Sequence, residues 1–463
     1  MHGNPPAQAG GSPLRLLLKL PRHAFLLPAN PDPATSHMKA APVVCLLGAV
    51  LAGLINPGSR GVSIGTAQAA AVPRFVPSKP SGTKSAPSDH PPPDSRARRA
   101  AIAIRLYRRL AHGSGNVFAS PYSLEMALAM AQAGARGSTA RAFADVLGRD
   151  PAAAPAQPGG KGLTFTVANA LWAQSGFPLS SGYVAEIQRK FDGLVRLLDF
   201  RGAPRAAART INDWVSEKTR GRIGAVVSPG ELKHETSLML TDAVYFKGMW
   251  QKSFNPGNTY KQRFQLPGGD HVRTDMMHNT AHFYIYRGLN FKMLVLPFKG
   301  GHDAVEMLVL LPDHISQLGS VEERLSAAAL NDWVAQADEK LVEVTLPKFR
   351  IAERMDLSNA AKALGIAVAF SKRQADFSGM ASLVSRRLYV SDILQKTYVD
   401  LDEKGTEAAA ATVMRMSVTA MARYQPDPER PLVFDANHRF IYLIRDETTG
   451  DILFIGRMAN PQE

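Results

Sequence analysis

Two patterns in the 463-residue sequence hold residue types that do covalent or metal chemistry, and both fail on context. Gly61-Val62-Ser63-Ile64-Gly65 fits the G-x-S-x-G of a nucleophile elbow, which needs a strand before it and a helix after it to present the serine for acyl transfer. Neither flank reads that way, so the match is taken as chance. His278 and His282 are spaced i, i+4, which on a helix would aim both imidazoles at one metal. The residues that follow, Phe283-Tyr284-Ile285-Tyr286, read as a strand, and a structural pair is the better reading. There is no H-E-x-x-H and no glycine-rich phosphate loop. The single cysteine, Cys45, excludes an intramolecular disulfide and any multi-cysteine metal site. No catalytic residue, metal or cofactor is therefore expected. A third pattern remains, Glu403-Lys404-Gly405-Thr406-Glu407-Ala408-Ala409-Ala410-Ala411-Thr412, a run of mostly small residues.

The elements that must position this segment read as helices first and strands later, an α+β order. Ile102, Leu106 and Leu110 recur every four residues in an amphipathic helix. Ser120-Pro121 is an N-cap followed by a first-turn proline, opening a helix that runs to Gly134. A third helix carries Ile211, Trp214 and Val215 on one face, with Gly221 beyond its end. Residues 291–296, 305–311, 341–346 and 452–455 are short runs rich in Val, Leu, Ile and Phe, and are predicted strands.

Upstream of residue 95 the composition changes. Residues 40–55 form an uncharged apolar run of 16, too short to span a membrane. Lys39 precedes it and Ala67-Gln68-Ala69 follows as a small-x-small cleavage site, so 1–69 reads as a leader and signal peptide, with Met38 as an alternative start and cleavage near Ala69-Ala70. The expected location is secreted or periplasmic. Residues 70–94 hold seven prolines and read as a linker. The net charge of +14 divides into +4 for 1–69, +4 for 70–100 and +6 for the rest, so more than half lies outside the core. Arg96, Arg98, Arg99, Arg105, Arg108 and Arg109 are read as a solvated helix face, with weak polyanion binding as the functional alternative. No specific nucleic-acid partner is expected.

From about residue 100 onward the chain resembles the serpin family of serine protease inhibitors, in a secreted bacterial type. Residues 116–123 (NVFASPYS) are similar to the family's N-x-x-x-S-P-x-S, and 134–139 (GARGST) to its G-A-x-x-x-T. Residues 211–215 with Thr219, Gly221 and Ile223, then 245–248 with Trp250, then 375–379 (ADFSG), follow in the family's order. Residues 403–412 resemble its reactive-loop hinge, and 434–440 its C-terminal signature, with Arg439 where a small residue is usual.

The resemblance implies a serpin domain over 95–463, with helices packed around a large mixed sheet, further sheets and an exposed C-terminal reactive loop. It implies a monomer whose partner is a serine protease, trapped covalently when the cleaved loop inserts into the sheet. The scissile bond would be Thr419-Ala420, with Met421 and Arg423 as alternatives; small residues there suit elastase-like or subtilisin-like enzymes. Asn116, Ser120, Ser123, Asp242 and Gln395 would form a shutter beneath the sheet, with Asp242 and Gln395 standing where the family has asparagine and histidine and bonded as carboxylate to amide. Trp250 would mark the breach, where insertion begins.

The residues themselves suit insertion. In a strand, Thr406, Ala408, Ala410, Thr412, Met414, Met416 and Val418 share one uncharged face, and the opposite face holds Glu407 and Arg415. On propensity alone the alanine run also suits a helix. A non-inhibitory serpin acting as a binding or carrier protein is the alternative.

Overall fold

The structure, a computed structural model, describes residues 93–149, 159–160, 162–300, 305–381, 388–404 and 430–462. Its helices are α1 (Pro93–Leu110), α2 (Pro121–Gly134), α3 (Gly137–Leu147), α4 (Ser181–Phe191), α5 (Pro204–Lys218), α6 (Leu318–Arg324), α7 (Ala327–Ala335) and α8 (Ser358–Ala361). The early strands are β1 (Val117–Ala119), β2 (Gly159–Gly160), β3 (Leu163–Gln174), β4 (Leu194–Leu198) and β5 (Leu238–Trp250). Then come β6 (Tyr260–Gln265), β7 (His271–Gly288), β8 (Phe291–Lys299), β9 (Val305–Pro312), β10 (Asp338–Pro347) and β11 (Phe349–Asp356). The last are β12 (Val390–Leu401), β13 (Leu432–Asp435), β14 (Phe440–Asp446) and β15 (Ile452–Met458). Among the described residues no helix is long and apolar enough to cross a membrane.

α1 begins at Pro93, two residues before the boundary expected from composition, because proline is at home in a first helical turn. α2 is capped as expected: the Ser120 hydroxyl accepts from the Ser123 amide and Pro121 opens the helix. Nearly all of α2 is buried, as befits a helix apolar on every side. Its last residue is glycine for a packing reason, since a Cβ on Gly134 would sit 2.1 Å from the Met380 side chain. Two sequence motifs far apart meet at the next turn, where the Asp376 amide donates to the buried Thr139 hydroxyl and the Arg136 amide to the Asp376 carbonyl.

One sheet has the order β4-β3-β5-β12-β11 and is mixed. β3 and β5 pair antiparallel, as do β11 and β12, but β5 and β12 run parallel. Both faces are covered, so its central strands lack the clean alternation of a half-exposed sheet. Leu238, Leu240, Val244 and Phe246 of β5 face the main core with α2. Met239 and Ala243, with Trp172 of β3, pack under Ile211 and Val215 of α5.

The remaining strands run β1-β15-β14-β9-β8, continuing through β7 to β10 and β13, with β6 on the other edge of β7. Every residue of β9, β14 and β15 is buried. His278 and His282 lie on β7, where four residues of strand put them about 13 Å apart. His278 instead shares a hydrogen bond with the Thr345 hydroxyl (3.0 Å) and stacks on Tyr260. Arg439 donates to the Ile315 carbonyl at 2.9 Å, which gives the unusual residue in the C-terminal signature a structural use.

Candidate functional site

β12 leads directly into the expected hinge, and its pairing with β5 is the feature that gives that hinge somewhere to go. The ladder runs from Val390↔Leu238 to Val399↔Phe246 and is parallel throughout. A segment that left β12 at its C-terminal end and turned back between the two strands would lie antiparallel to both. One parallel ladder would be exchanged for two antiparallel ones, which are somewhat more stable per residue.

At the C-terminal end of this seam, residues 402–404 are held by backbone contacts. The Trp250 indole donates to the Asp402 carbonyl (2.9 Å), the Trp250 amide to the Lys404 carbonyl (2.9 Å) and the Phe254 amide to the Glu403 carbonyl (2.8 Å). Trp250 is fixed in turn by stacking on Phe298, ring centroids 4.5 Å apart, with Phe254 against its edge. Lys348 bonds the Glu403 carboxylate at 3.0 Å. Burial opposes the charge on Glu403, but hydrogen bonds from its own amide and from Lys348 outweigh it and hold the carboxyl below the usual range. Trp250, Glu403 and Lys404 thus converge at one end of the seam. Gly405, Thr406, Glu407, Ala408, Ala409, Ala410, Ala411 and Thr412 lie outside the described residues, as do Thr419, Ala420, Met421 and Arg423. The Gly61–Gly65 pattern and the leader lie outside them too.

Midway along the seam a polar cluster ties β12 to the start of α2. The Gln395 amide clasps the Ser120 backbone both ways, accepting from its N–H (2.8 Å) and donating to its carbonyl (2.9 Å). The Ser120 hydroxyl donates to the Leu453 carbonyl and the Ser123 hydroxyl to Asn169 Oδ1. Asn169, which sequence reasoning missed, stands opposite Asp242 on β3, and Gln395 stands opposite Asp242 on β12. Its signal was available only through register, because Asn169 belongs to none of the recognised motifs.

Two expectations need correction here. Asn116 is not part of this cluster: its side chain donates to the Asn460 carbonyl (2.7 Å) and accepts from the Ala459 and Asn460 amides, tying the entry of β1 to the C-terminal segment. The carboxylate-to-amide bond expected between Asp242 and Gln395 is weaker than expected: the Gln395 amide bonds the Ser120 backbone and only partly stabilises the Asp242 carboxylate. Both Asp242 oxygens are buried without a well-formed hydrogen bond among the described residues. Burial pushes the Asp242 carboxyl well above the usual carboxylate range, with the nearby Gln395 amide only partly opposing it, so the site favours the protonated form.

The arginines expected to form a solvated face on α1 are mostly bonded to other segments of the fold. Arg99 pairs with Asp451 at 2.5 Å, Arg105 donates to the Leu364 carbonyl, Arg108 to the carbonyls of Glu323 and Leu325, and Arg98 to that of Leu147. Arg96 has its Nε buried, whereas Arg98, Arg105, Arg108 and Arg109 remain exposed. Several of these guanidiniums therefore join the helix to neighbouring segments while staying at the surface.

The comparisons with known proteins agree with this architecture. The family model described as Serpin (serine protease inhibitor) matches residues 97–461. An uncharacterized serpin-like protein of Thermococcus kodakarensis is 36% identical over 370 residues, covering 77% of this chain and 84% of that protein. The leukocyte elastase inhibitor of Equus caballus is 34% identical over 380 residues, covering 78% and 97%. Among solved structures, the thermophilic serpin tengpin in its native state aligns with a TM-score of 0.71 at 24% identity, over 80% of this chain and 95% of that one. With the mixed sheet, the Trp250 corner and the family match in place over the same residues, the chain belongs to the serpin family.

Proposed function

We propose that this protein inhibits serine proteases as a suicide substrate. A protease attacks the segment after Lys404, forms an acyl-enzyme at the residue before the scissile bond, and the freed strand enters the β5–β12 seam before water deacylates the ester. The observation that carries this reading is the parallel seam itself, with β12 running straight into residues 402–404. Inserting about 14 residues at ~3.3 Å each carries the acylated protease on the order of 50 Å. The inhibitor supplies no catalytic group; it supplies a trap.

Thr419-Ala420 is the proposed reactive bond, and its small side chains favour enzymes with shallow apolar primary pockets, elastase-like or subtilisin-like. The 34% identity to an equine leukocyte elastase inhibitor supports that class of target. Export of a monomer after cleavage near Ala69-Ala70 is proposed from the apolar run and cleavage motif alone.

Incubation with elastase, subtilisin and trypsin tests the function. A denaturant-resistant complex with elastase or subtilisin, its acyl bond at Thr419 or Ala420, is the expected result. A trypsin complex through Arg423 would reassign the bond. Clean loop cleavage with no complex by any of the three would favour the non-inhibitory carrier reading.

A further inference from the structure

A cavity of about 230 Å³ lies between the C-terminal end of α5 and the face of β3 and β5 beneath it. Lys218, Arg220, Arg222 and Lys247 line it, with the hydroxyls of Thr164 and Thr166, and no carboxylate among the described residues contributes to its wall. The open carbonyls at a helix C-terminus account for roughly half a unit of negative charge. Arg222 and Lys247 also interact with other groups, so the positive charge of the concavity rests chiefly on Lys218 and Arg220. The Lys218 and Arg220 side chains make no hydrogen bond or ion pair with other described residues, in contrast to the arginines of α1. At this volume the cavity is below the roughly 300 Å³ at which pockets for drug-sized molecules begin, so it suits a small, highly charged ligand.

What the cavity adjoins gives such a ligand a consequence. The chain leaving α5 crosses the β5–β12 seam and is tied down on its far side. Lys396 of β12 donates to the Ala225 carbonyl at 2.9 Å, Arg354 of β11 to the Val226 carbonyl at 2.6 Å, and Arg354 also pairs with Glu231. Asn212 of α5 holds the same segment by accepting from the Val226 and Val227 amides and donating to the Val227 carbonyl. The strap is thus anchored to β11 and β12 at one end, while its other end, residues 218–222, overlies β3 and β5 at the cavity. A new strand between β5 and β12 would separate those anchors by about 4.8 Å, the spacing of neighbouring strands. One anchor has to yield.

We propose that this cavity binds a multivalent oxyanion, carried as phosphate or as a sulfate ester, and that the bound anion fastens the strap to β3 and β5 and so slows opening of the seam. Guanidinium and ammonium groups from both the strap and β5 converge on one oxyanion, which strengthens the weaker anchor through charge-assisted hydrogen bonds. The slowing of inhibition rests on the function proposed above, whereas binding and stabilisation of the uncleaved fold do not.

The test titrates pyrophosphate and, separately, a sulfated disaccharide into the uncleaved protein at constant ionic strength, reading binding heat and thermal midpoint, then the rate of covalent complex formation. Saturable binding by either probe, a midpoint that rises with occupancy, and a severalfold slower rate are expected; which probe binds tighter identifies the source of the oxyanion. The double variant Lys218→Gln/Arg220→Gln, referred to its own anion-free baseline, is expected to bind either probe at least tenfold more weakly. Absence of saturable binding by both probes, or equal stabilisation of wild type and variant, would overturn the site. Binding and stabilisation with an unchanged rate of complex formation would overturn the proposed control of the seam, and a protein that binds the anion yet traps no protease would count against the inhibitory function alone.

Discussion

Two strand pairs in this molecule each bury a carboxyl group in register with a partner, and they do so to opposite ends. In β14–β9 the strands are antiparallel, every residue is buried, and Glu306 meets Arg445 across the ladder at 2.6 Å. In β5–β12 the strands are parallel, and Asp242 meets Gln395, whose amide is already engaged by Ser120. A buried ion pair that keeps its hydrogen bonds resists separation, because parting the two charges would leave each uncompensated. A buried carboxyl biased towards its protonated form, with no charged partner among the described residues, has less to lose when the strands part. The first pair is built to stay closed. The second is closed by a side-chain clasp to α2 and by a strap across its face, which the proposed insertion would have to release.

The contrast can be broken first on its stable side. Leu443→Ala in β14 removes a fully buried side chain and is expected to lower stability by about 3 kcal/mol, in uncleaved and loop-cleaved protein alike. Denaturant titration of both forms checks this, and a loss confined to the uncleaved form would erase the distinction between the regions. On the side built to open, Ala410→Pro removes an N–H that the inserted strand needs. Covalent complex is expected to fall at least about 100-fold, roughly 2.7 kcal/mol in rate terms, with the loop still cleaved cleanly and the uncleaved midpoint unchanged.

Gln395→Ala leaves both backbone groups of Ser120 without their side-chain partner and is expected to cost about 2 kcal/mol in the first unfolding transition of the uncleaved form. Unlike Leu443→Ala, it should spare the cleaved form if insertion rebuilds the seam. Asp242 supplies the smallest and most specific effect. Its folded carboxyl is held above the ordinary value near 3.9, so between that value and its raised one the native state binds more protons than the unfolded chain. Stability from this group is therefore fully present below about pH 4 and is lost as pH rises through the folded pKa, at up to about 1.4 kcal/mol per pH unit. Asp242→Asn should remove that slope, read as the difference between midpoints at several pH values from 4 to 8. Parallel pH profiles for wild type and variant would refute it.

The motifs in the sequence located the ends of elements better than their partners. Ser120-Pro121 announced a cap that the structure places at the polar cluster, and Thr139 and Asp376, in separate motifs, meet through one hydrogen bond. Trp250 and Glu403 were legible for the same reason, as residues in a recognisable run. Asn169 was not, because what makes it important is its position opposite Asp242, a matter of register between β3 and β5 that periodicity does not encode. Asn116 was misplaced because it shares a motif with Ser120 and Ser123, whereas its side chain, at the entry of a short strand, bonds the C-terminal segment instead. The six arginines of α1 show the limit of charge counting, since the carbonyls and the carboxylate that absorb most of them come from segments distant in the chain.

The central claim is that the β5–β12 seam receives the segment following Lys404. The most direct test compares the thermal midpoint before and after a single cleavage within residues 413–423 by a protease that is then removed. Exchange of one parallel ladder for two antiparallel ones is expected to raise the midpoint by more than about 10 °C. A cleaved protein that melts at the same temperature as the intact one would show that the seam does not open to the loop, and would contradict the account.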